Sequence, residues 1–370
     1  ARLSTGTKLL VGGLGAAGRS YYALDVSNPR NLTAAQAAAQ FRWTFPAPSD
    51  ATNRALMGYT VGKPVIARHA TMGNIVLVTS GYDNGQAIGD ARGRLWVLNA
   101  TTGAVLRTFR TTAGTVAPGQ EAGLAHISAF REDNGTARYV YGGDLLGNLW
   151  KFDLDRNDPG EMDAELLASL KDSFGNAQPI TAAPELTTIY NQRVVLVGTG
   201  RVLDLNDFGS TARQSFYAIA DGATLVNART SLVAQTYTRA TDTITANPVN
   251  WATDRGWYFD LPVGEQANTD PIVTYGAVAF VTNVNGSSDC AQSSYMYLID
   301  VGTGSRVANS TFVSEVIATN ATSSRVITLR VVNGRIIGTT HRSDNTVYQR
   351  ELPLGQIINP SKNAWREVRR

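Results

Sequence analysis

The sequence predicts an all-β protein, a single β-propeller of six or seven four-stranded blades, seven favoured, with short helical inserts between blades. Three observations carry that expectation: an aromatic strand that recurs along the chain, apolar runs spaced ahead of each copy, and a scarcity of helical pattern. At 370 residues the chain exceeds two ordinary domains, yet propellers run past the usual length as one unit, so residues 1–370 are read as one domain. Its 35 glycines against 13 prolines call for many turns, and 43% hydrophobic residues supply a large core.

The aromatic strand reads Tyr21-Tyr22-Ala23-Leu24-Asp25, Leu95-Trp96-Val97-Leu98-Asn99, Leu149-Trp150-Lys151-Phe152-Asp153, Ser215-Phe216-Tyr217-Ala218-Ile219 and Tyr295-Met296-Tyr297-Leu298-Ile299-Asp300. Such self-similarity is the signature of repeat architectures. Two copies continue alike, through Thr101-Thr102-Gly103 and Gly302-Thr303-Gly304, where glycine permits the positive φ of a tight turn. Ahead of these strands lie Pro64-Val65-Ile66-Ala67, Ala125-His126-Ile127, Pro184-Glu185-Leu186 and Pro271-Ile272-Val273. Between come Ile75-Val76-Leu77-Val78, Tyr139-Val140-Tyr141, Val194-Val195-Leu196-Val197 and Val278-Ala279-Phe280-Val281. About four strands per unit is the pattern of a propeller blade. The chain opens in mid-blade, with second and third strands but no first, and a late strand is expected to close the ring there and remove a free sheet edge. Helical pattern is confined to residues 31–41, rich in alanine, and 158–170, where Pro159, Glu161, Asp163 and Glu165 suit a helix start.

The formal net charge of +3 is small and the basic residues are scattered, apart from Arg366, Arg369 and Arg370, which excludes an evident nucleic-acid surface. No window approaches the ~18 apolar residues of a membrane span. The start lacks the basic and long apolar stretches of a secretory leader, so the chain is expected to be cut from a longer protein whose leader and N-terminal domain lie outside it. The single cysteine, Cys290, supports neither a disulfide framework nor a thiolate metal site.

Gly13-Leu14-Gly15-Ala16-Ala17-Gly18 matches a dinucleotide fingerprint, but the next segment is another strand, whereas a nucleotide loop must open a helix. A hairpin is expected. His69, His126 and His341 show no zinc spacing, no serine sits in a nucleophile elbow, and no catalytic residue is assigned. Three turning segments hold carboxylates: Glu132-Asp133-Asn134-Gly135, Asp83-Asn84-Gly85 with Asp90, and Asp204-Leu205-Asn206-Asp207. None reaches the six oxygens of a calcium cage, and solvated turns are the expectation for all three.

Gly12-Gly13-Leu14-Gly15 with Tyr21 to Val26, then Gly142-Gly143-Asp144-Leu145-Leu146-Gly147-Asn148-Leu149-Trp150-Lys151-Phe152-Asp153, closely resemble the PilC/PilY family. Val197-Gly198-Thr199-Gly200-Arg201, Gln214-Ser215-Phe216-Tyr217, Gly256-Trp257-Tyr258-Phe259-Asp260-Leu261 with Gly264-Glu265, and Ser288-Asp289-Cys290 come in the family's order. The resemblance implies a C-terminal propeller that is no enzyme. It implies a secreted, cell-surface protein of a Gram-negative bacterium, outer-membrane-associated and at the pilus tip. There it would promote type IV pilus assembly, oppose retraction and contribute to adhesion, twitching motility and virulence. The implied partners are minor pilins and the assembly machinery, with a host-cell surface as an alternative; a quinoprotein-like enzyme is the remaining one. The family's calcium loop is degenerate here. Its acidic positions fall on Phe130, Glu132, Asn134 and Arg138, so no metal or other cofactor is expected: phenylalanine offers no ligand and an arginine repels a dication. The segments 31–53, 157–178 and 223–250 are the expected partner surfaces, because long inserts on a rigid scaffold carry function.

Overall fold

The computed structural model describes residues 1–30, 33–84, 89–284, 292–318, 324–332 and 335–354. The chain divides into two compact units, Ala1–Leu166 and Leu167–Arg370. No helix is long and apolar enough to cross a membrane among the described residues.

The first unit opens with β1 (Leu9–Gly13), β2 (Tyr21–Asp25) and β3 (Phe41–Phe45) in one antiparallel sheet. Leu9 faces Asp25 and Gly13 faces Tyr21, so the glycine-rich segment between them is a hairpin connection, as its sequence context predicts. Between β2 and β3 lies α1 (Ala34–Ala39), started by a Thr33–Gln36 capping box; α2 (Ala51–Leu56) comes after β3, capped by Asp50. Next come β4 (Val65–His69), β5 (Gly73–Thr79), β6 (Arg94–Asn99) and β7 (Val105–Arg110), then β8 (Ile127–Arg131), β9 (Ala137–Gly143) and β10 (Asn148–Asp153). The helix expected over 158–170 is replaced by two strands, β11 (Glu161–Asp163) and β12 (Glu165–Ser169). β11 runs parallel to β7, and β12 lies beside β10. The acidic residues that suggest a helix start serve cross-strand pairing instead. Glu161 accepts from Arg94 Nε at 2.6 Å and Asp163 from Arg110 Nε at 2.7 Å, while Met162 between them is buried. Charge, apolar, charge is the period of a strand.

The second unit contains β13 (Glu185–Ile189), β14 (Gln192–Gly198), β15 (Ser215–Ala220), β16 (Val233–Gln235), β17 (Tyr237–Thr238), β18 (Thr243–Ile244) and β19 (Gly256–Asp260). It continues through β20 (Glu265–Gln266), β21 (Ile272–Thr274), β22 (Ala277–Val284), β23 (Ser293–Asp300) and β24 (Ser314–Ala318), and ends on β25 (Ser324–Val332), β26 (Arg335–Arg342) and β27 (Val347–Leu352). Its sheets are ordered β13-β14-β15-β19-β16, β20-β22-β23-β24 with β21 also on β22, and β25-β26-β27; β17 and β18 form a hairpin. Among the described residues, six sheets hold three to five strands each. β12-β10-β9-β8 has the expected four strands; the five-stranded sheets arise where short strands such as β11, β16 and β20 join four others, and β1-β2-β3 and β25-β26-β27 hold three.

The recurring aromatics are the core. Trp96, Trp150, Tyr21, Tyr217 and Tyr297 are fully buried, and a buried aromatic with a polar tip needs a partner. Trp96 Nε1 donates to Asn53 Oδ1 at 2.9 Å, Trp150 Nε1 to Asp144 Oδ2 at 2.8 Å, and Tyr21 OH to the Thr79 carbonyl at 3.0 Å. In the second unit Phe216 stacks on Phe280 at 4.0 Å and Phe280 on Tyr297 at 4.9 Å.

Candidate docking surface

The degenerate calcium loop is a hairpin turn between β8 and β9. Glu132 N donates to the Thr136 carbonyl and Gly135 N to the Glu132 carbonyl, both at 2.8 Å, with Gly135 at φ 77. Phe130 lies on β8. Arg138 reaches away to Asp153 at 3.1 Å and Asp155 at 3.0 Å, its guanidinium over the Tyr139 ring. The donor set does not fit calcium: one position has no oxygen, and another brings a cation that holds the nearby carboxylates itself. Arginines also take the other two segments. Asp83 pairs with Arg19 at 2.7 Å, Asp90 with Arg94 at 2.6 Å, and Asp204 and Asp207 with Arg201 at 2.8 and 3.1 Å. Gly85 and Cys290 lie outside the described residues, as do Arg366, Arg369 and Arg370. Among the described residues no three His, Cys, Asp or Glu side chains gather as metal ligands. His69 is buried on β4. Its Nδ1 accepts from Thr71 N and Met72 N at 3.3 Å, which leaves the proton on Nε2, 3.1 Å from Asp155.

The Gly142–Asp153 motif string becomes intelligible as a turn, and a second segment shares its device. Asp144 is buried and accepts from Leu146 N at 3.0 Å, Asn148 N at 2.8 Å, Asn148 Nδ2 at 3.1 Å and Trp150 Nε1 at 2.8 Å. Burial pushes its carboxyl up to about 6 against the pull of those donors. Asp172-Ser173-Phe174-Gly175-Asn176 repeats the device, with Asp172 accepting from Phe174 N at 2.8 Å, Asn176 N at 2.9 Å and Asn176 Nδ2 at 2.9 Å. The shared Asp-x-x-Gly-Asn spacing is the sequence signal of this device, and it lies outside the aromatic repeat. Its carboxylate closes a five-residue turn, and only glycine suits the fourth position, at φ 77 and 88.

Each of the expected partner segments is woven in part into a sheet: 41–45 is β3, 161–163 and 165–169 are β11 and β12, and 233–235 is the edge strand β16. What remains outside includes the Asp172 turn. In the antiparallel succession β13, β14, β15, β19, the connections 170–184, 199–214 and 261–264 all emerge at one end of the sheet. They are laced together. Gly200 N donates to the Pro179 carbonyl at 2.7 Å, Leu261 N to the Gln214 carbonyl at 2.8 Å, and Arg201 N to Gln266 Oε1 at 3.0 Å. Gln178 Nε2 donates to the Arg213 carbonyl at 2.9 Å. At this end Phe174 is 81% exposed, Leu205 79%, Val263 56% and Leu203 42%. Single exposed apolar residues are ordinary, but several on tied loops at one end of a sheet form a surface suited to burial by a partner.

Behind the Val263 turn stands a buried polar centre. Glu265 accepts from Thr282 Oγ1 at 2.7 Å, from Tyr297 OH at 2.8 Å and from Arg239. Burial raises the Glu265 carboxyl and lifts Tyr297 well above the usual phenol range. Arg239 also lies 3.6 Å over the Tyr295 ring and donates to Tyr297 OH, so the 237–244 hairpin is pinned to β20 and β23. Glu265 N bonds the Pro262 carbonyl at 3.1 Å. A carboxylate so enclosed by donors from its own chain positions the turn; its geometry is that of an anchor.

The family model described as the PilY1 beta-propeller domain matches residues 4–247. The chain belongs to the PilY1 β-propeller family. It is 31% identical over 336 residues to a type IV pilus biogenesis factor PilY1 homolog of Xylella fastidiosa, covering 80% of this chain and 22% of that protein. It is 30% identical over 362 residues to the type IV pilus biogenesis factor PilY1 of Pseudomonas aeruginosa, covering 82% of this chain and 30% of the other. The chain therefore spans under a third of these PilY1 relatives. The crystal structure of the P. aeruginosa PilY1 C-terminal domain superposes with a TM-score of 0.72 at 25% identity, covering 94% of this chain and 80% of that one. The Asp144 turn and the Glu265 turn are thus built into a PilY1-type domain.

Proposed function

We propose that the chain is the propeller of a type IV pilus-associated protein and acts by binding, docking onto minor pilins or the assembly machinery to promote pilus assembly and oppose retraction, without catalysis and without calcium. The observation that carries this reading is the laced end of the β13-β14-β15-β19 sheet, where Phe174, Leu203, Leu205 and Val263 present apolar surface from loops held by backbone hydrogen bonds. Loops pre-ordered in this way lose little entropy on binding. The names of the relatives supply the context of the pilus, and a location at the cell surface and pilus tip is drawn from that context.

The test is calorimetric titration of the domain with minor pilins of its own organism, once with calcium and once with chelator. Saturable binding that is equal in both, and lost when Phe174 and Leu205 are replaced by serine, supports the reading. Absence of binding in both conditions overturns it and moves attachment to a host surface to the front.

A further inference from the structure

We propose that Asn134–Gly135, at the tip of the β8–β9 hairpin, is a self-modification site at which the folded protein converts an asparagine into isoaspartate and aspartate. The sequence contains Asn-Gly at 84–85, 134–135, 285–286 and 333–334, and of these 134–135 alone lies wholly within the described residues. Asn134 is exposed, and Gly135 has no atom within 4 Å of the place a Cβ would occupy. No side chain crowds the approach of water and hydroxide, and the Gly135 N–H, which donates to the Glu132 carbonyl at 2.8 Å, gives up its proton when that exposed turn bond opens. Asn134 Oδ1 accepts from Thr136 N at 2.9 Å and from Thr136 Oγ1 at 2.6 Å. This ring, closed two residues on, holds the side chain against its own turn. The same two donors polarise the amide carbonyl and stabilise the oxyanion that forms on it.

The chemistry balances with water alone. Gly135 N gives up its proton to hydroxide and bonds to Asn134 Cγ. The bond from Cγ to the side-chain nitrogen breaks, and ammonia leaves with a proton from solvent. Water then opens the cyclic imide at either carbonyl, giving aspartate or an isoaspartate whose main chain runs through Cβ. Nothing is oxidised or reduced. Each event adds a negative charge beside Glu132 and Asp133 and, in the iso form, lengthens a turn whose flanking register pairs Arg131 with Ala137. Asn84 is the internal contrast: it is buried, with Nδ2 donating to the Arg92 carbonyl at 2.7 Å.

The experiment incubates the folded chain in heavy-oxygen water at neutral and mildly alkaline pH, then cleaves with trypsin after Arg131 and Arg138 to release residues 132–138 for mass spectrometry. The expected result is loss of the Asn134 amide with gain of one heavy oxygen, isoaspartate exceeding aspartate, and a rate that rises with hydroxide. Asn84 should react about tenfold more slowly, a barrier higher by about 1.4 kcal/mol. Thr136→Val, which keeps the backbone donor and removes the hydroxyl, should slow Asn134 about threefold, in line with one lost oxyanion donor at an exposed site. Conversion that appears only after unfolding in guanidinium, or a Thr136→Val rate equal to that of the parent, overturns the proposal.

Discussion

The indole nitrogen of Trp257 donates to the carbonyl of Val301 at 2.8 Å, and the same ring covers Gly304, where an added Cβ would lie 2.5 Å from it. The relationship recurs in the first unit: Trp43 Nε1 donates to the Ala100 carbonyl at 3.0 Å, and a Cβ on Gly103 would meet its ring at 2.7 Å. In both cases a tryptophan from one sheet closes over the tight turn of the next. The two glycines sit at φ 70 and 72. Gly304→Ala and Gly103→Ala are each expected to cost about 2–4 kcal/mol, combining left-handed backbone strain with a ring that must move. Denaturant midpoints of the two variants check this.

Asp144→Ala removes the acceptor of four donors, three of them in a turn and one on the buried Trp150. A loss of about 2–4 kcal/mol is expected. Asp172→Ala, with three donors and no indole among them, should cost less. Equal costs for the two variants would show that the indole bond adds nothing.

The raised Asp144 carboxyl makes a signed pH prediction. Its folded value is about 6, above the ordinary value of about 4, so between them the unfolded chain ionises while the folded chain keeps its proton. The linked stability is fully present below about pH 4 and is lost as pH rises through about 6, a change of up to about 3 kcal/mol. Stability of the parent minus that of Asp144→Ala, measured at intervals from pH 4 to 7, should fall across that window; a flat difference refutes it.

Burial pushes the Tyr21 phenol up to about 12 against its bonds to Thr79. The unfolded chain ionises this tyrosine near pH 10 and the folded chain does not, so stability falls as pH rises from about 10 toward 12. In a tyrosinate absorbance titration, Tyr21→Phe should remove no signal below the alkaline unfolding transition.

Phe174→Ser and Leu205→Ser alter side chains that are 81% and 79% exposed, so stability should change by less than about 0.5 kcal/mol. Binding to a pilin partner should weaken about tenfold or more if these are anchors of the interface. Calorimetry and denaturation on the same samples separate the two effects.

The recurring aromatic strands are legible because burial of Trp96, Trp150 and Tyr297 is written in residue type and spacing. The connection at 158–170 reads as a helix, and folds otherwise, for a physical reason. Pro159 and three acidic residues satisfy helix-start rules locally, whereas the arginines that recruit Glu161 and Asp163 lie far away on β6 and β7. Long-range pairing overrides local preference. At the candidate surface, Gly264-Glu265 is visible as a motif, but its role is not. The Arg239 that anchors Glu265 comes from a hairpin 26 residues earlier, and no local pattern signals that meeting. Exposure of Phe174 is equally hidden, since a phenylalanine in a turn reads as core until the fold places it.

Between β11 and β12 stands only Ala164, so the chain steps from the edge of one sheet to the edge of the next within a single residue. Because β11 runs parallel to β7, with Glu161, Met162 and Asp163 opposite Thr108, Phe109 and Arg110, tension drawn along this segment loads its rungs together in shear instead of peeling them one after another. Two neighbouring blades are strapped by one short stitch. Under a pulling load survival time is set by the rate of unfolding, and a stitch loaded in shear gives way more slowly than one that is peeled.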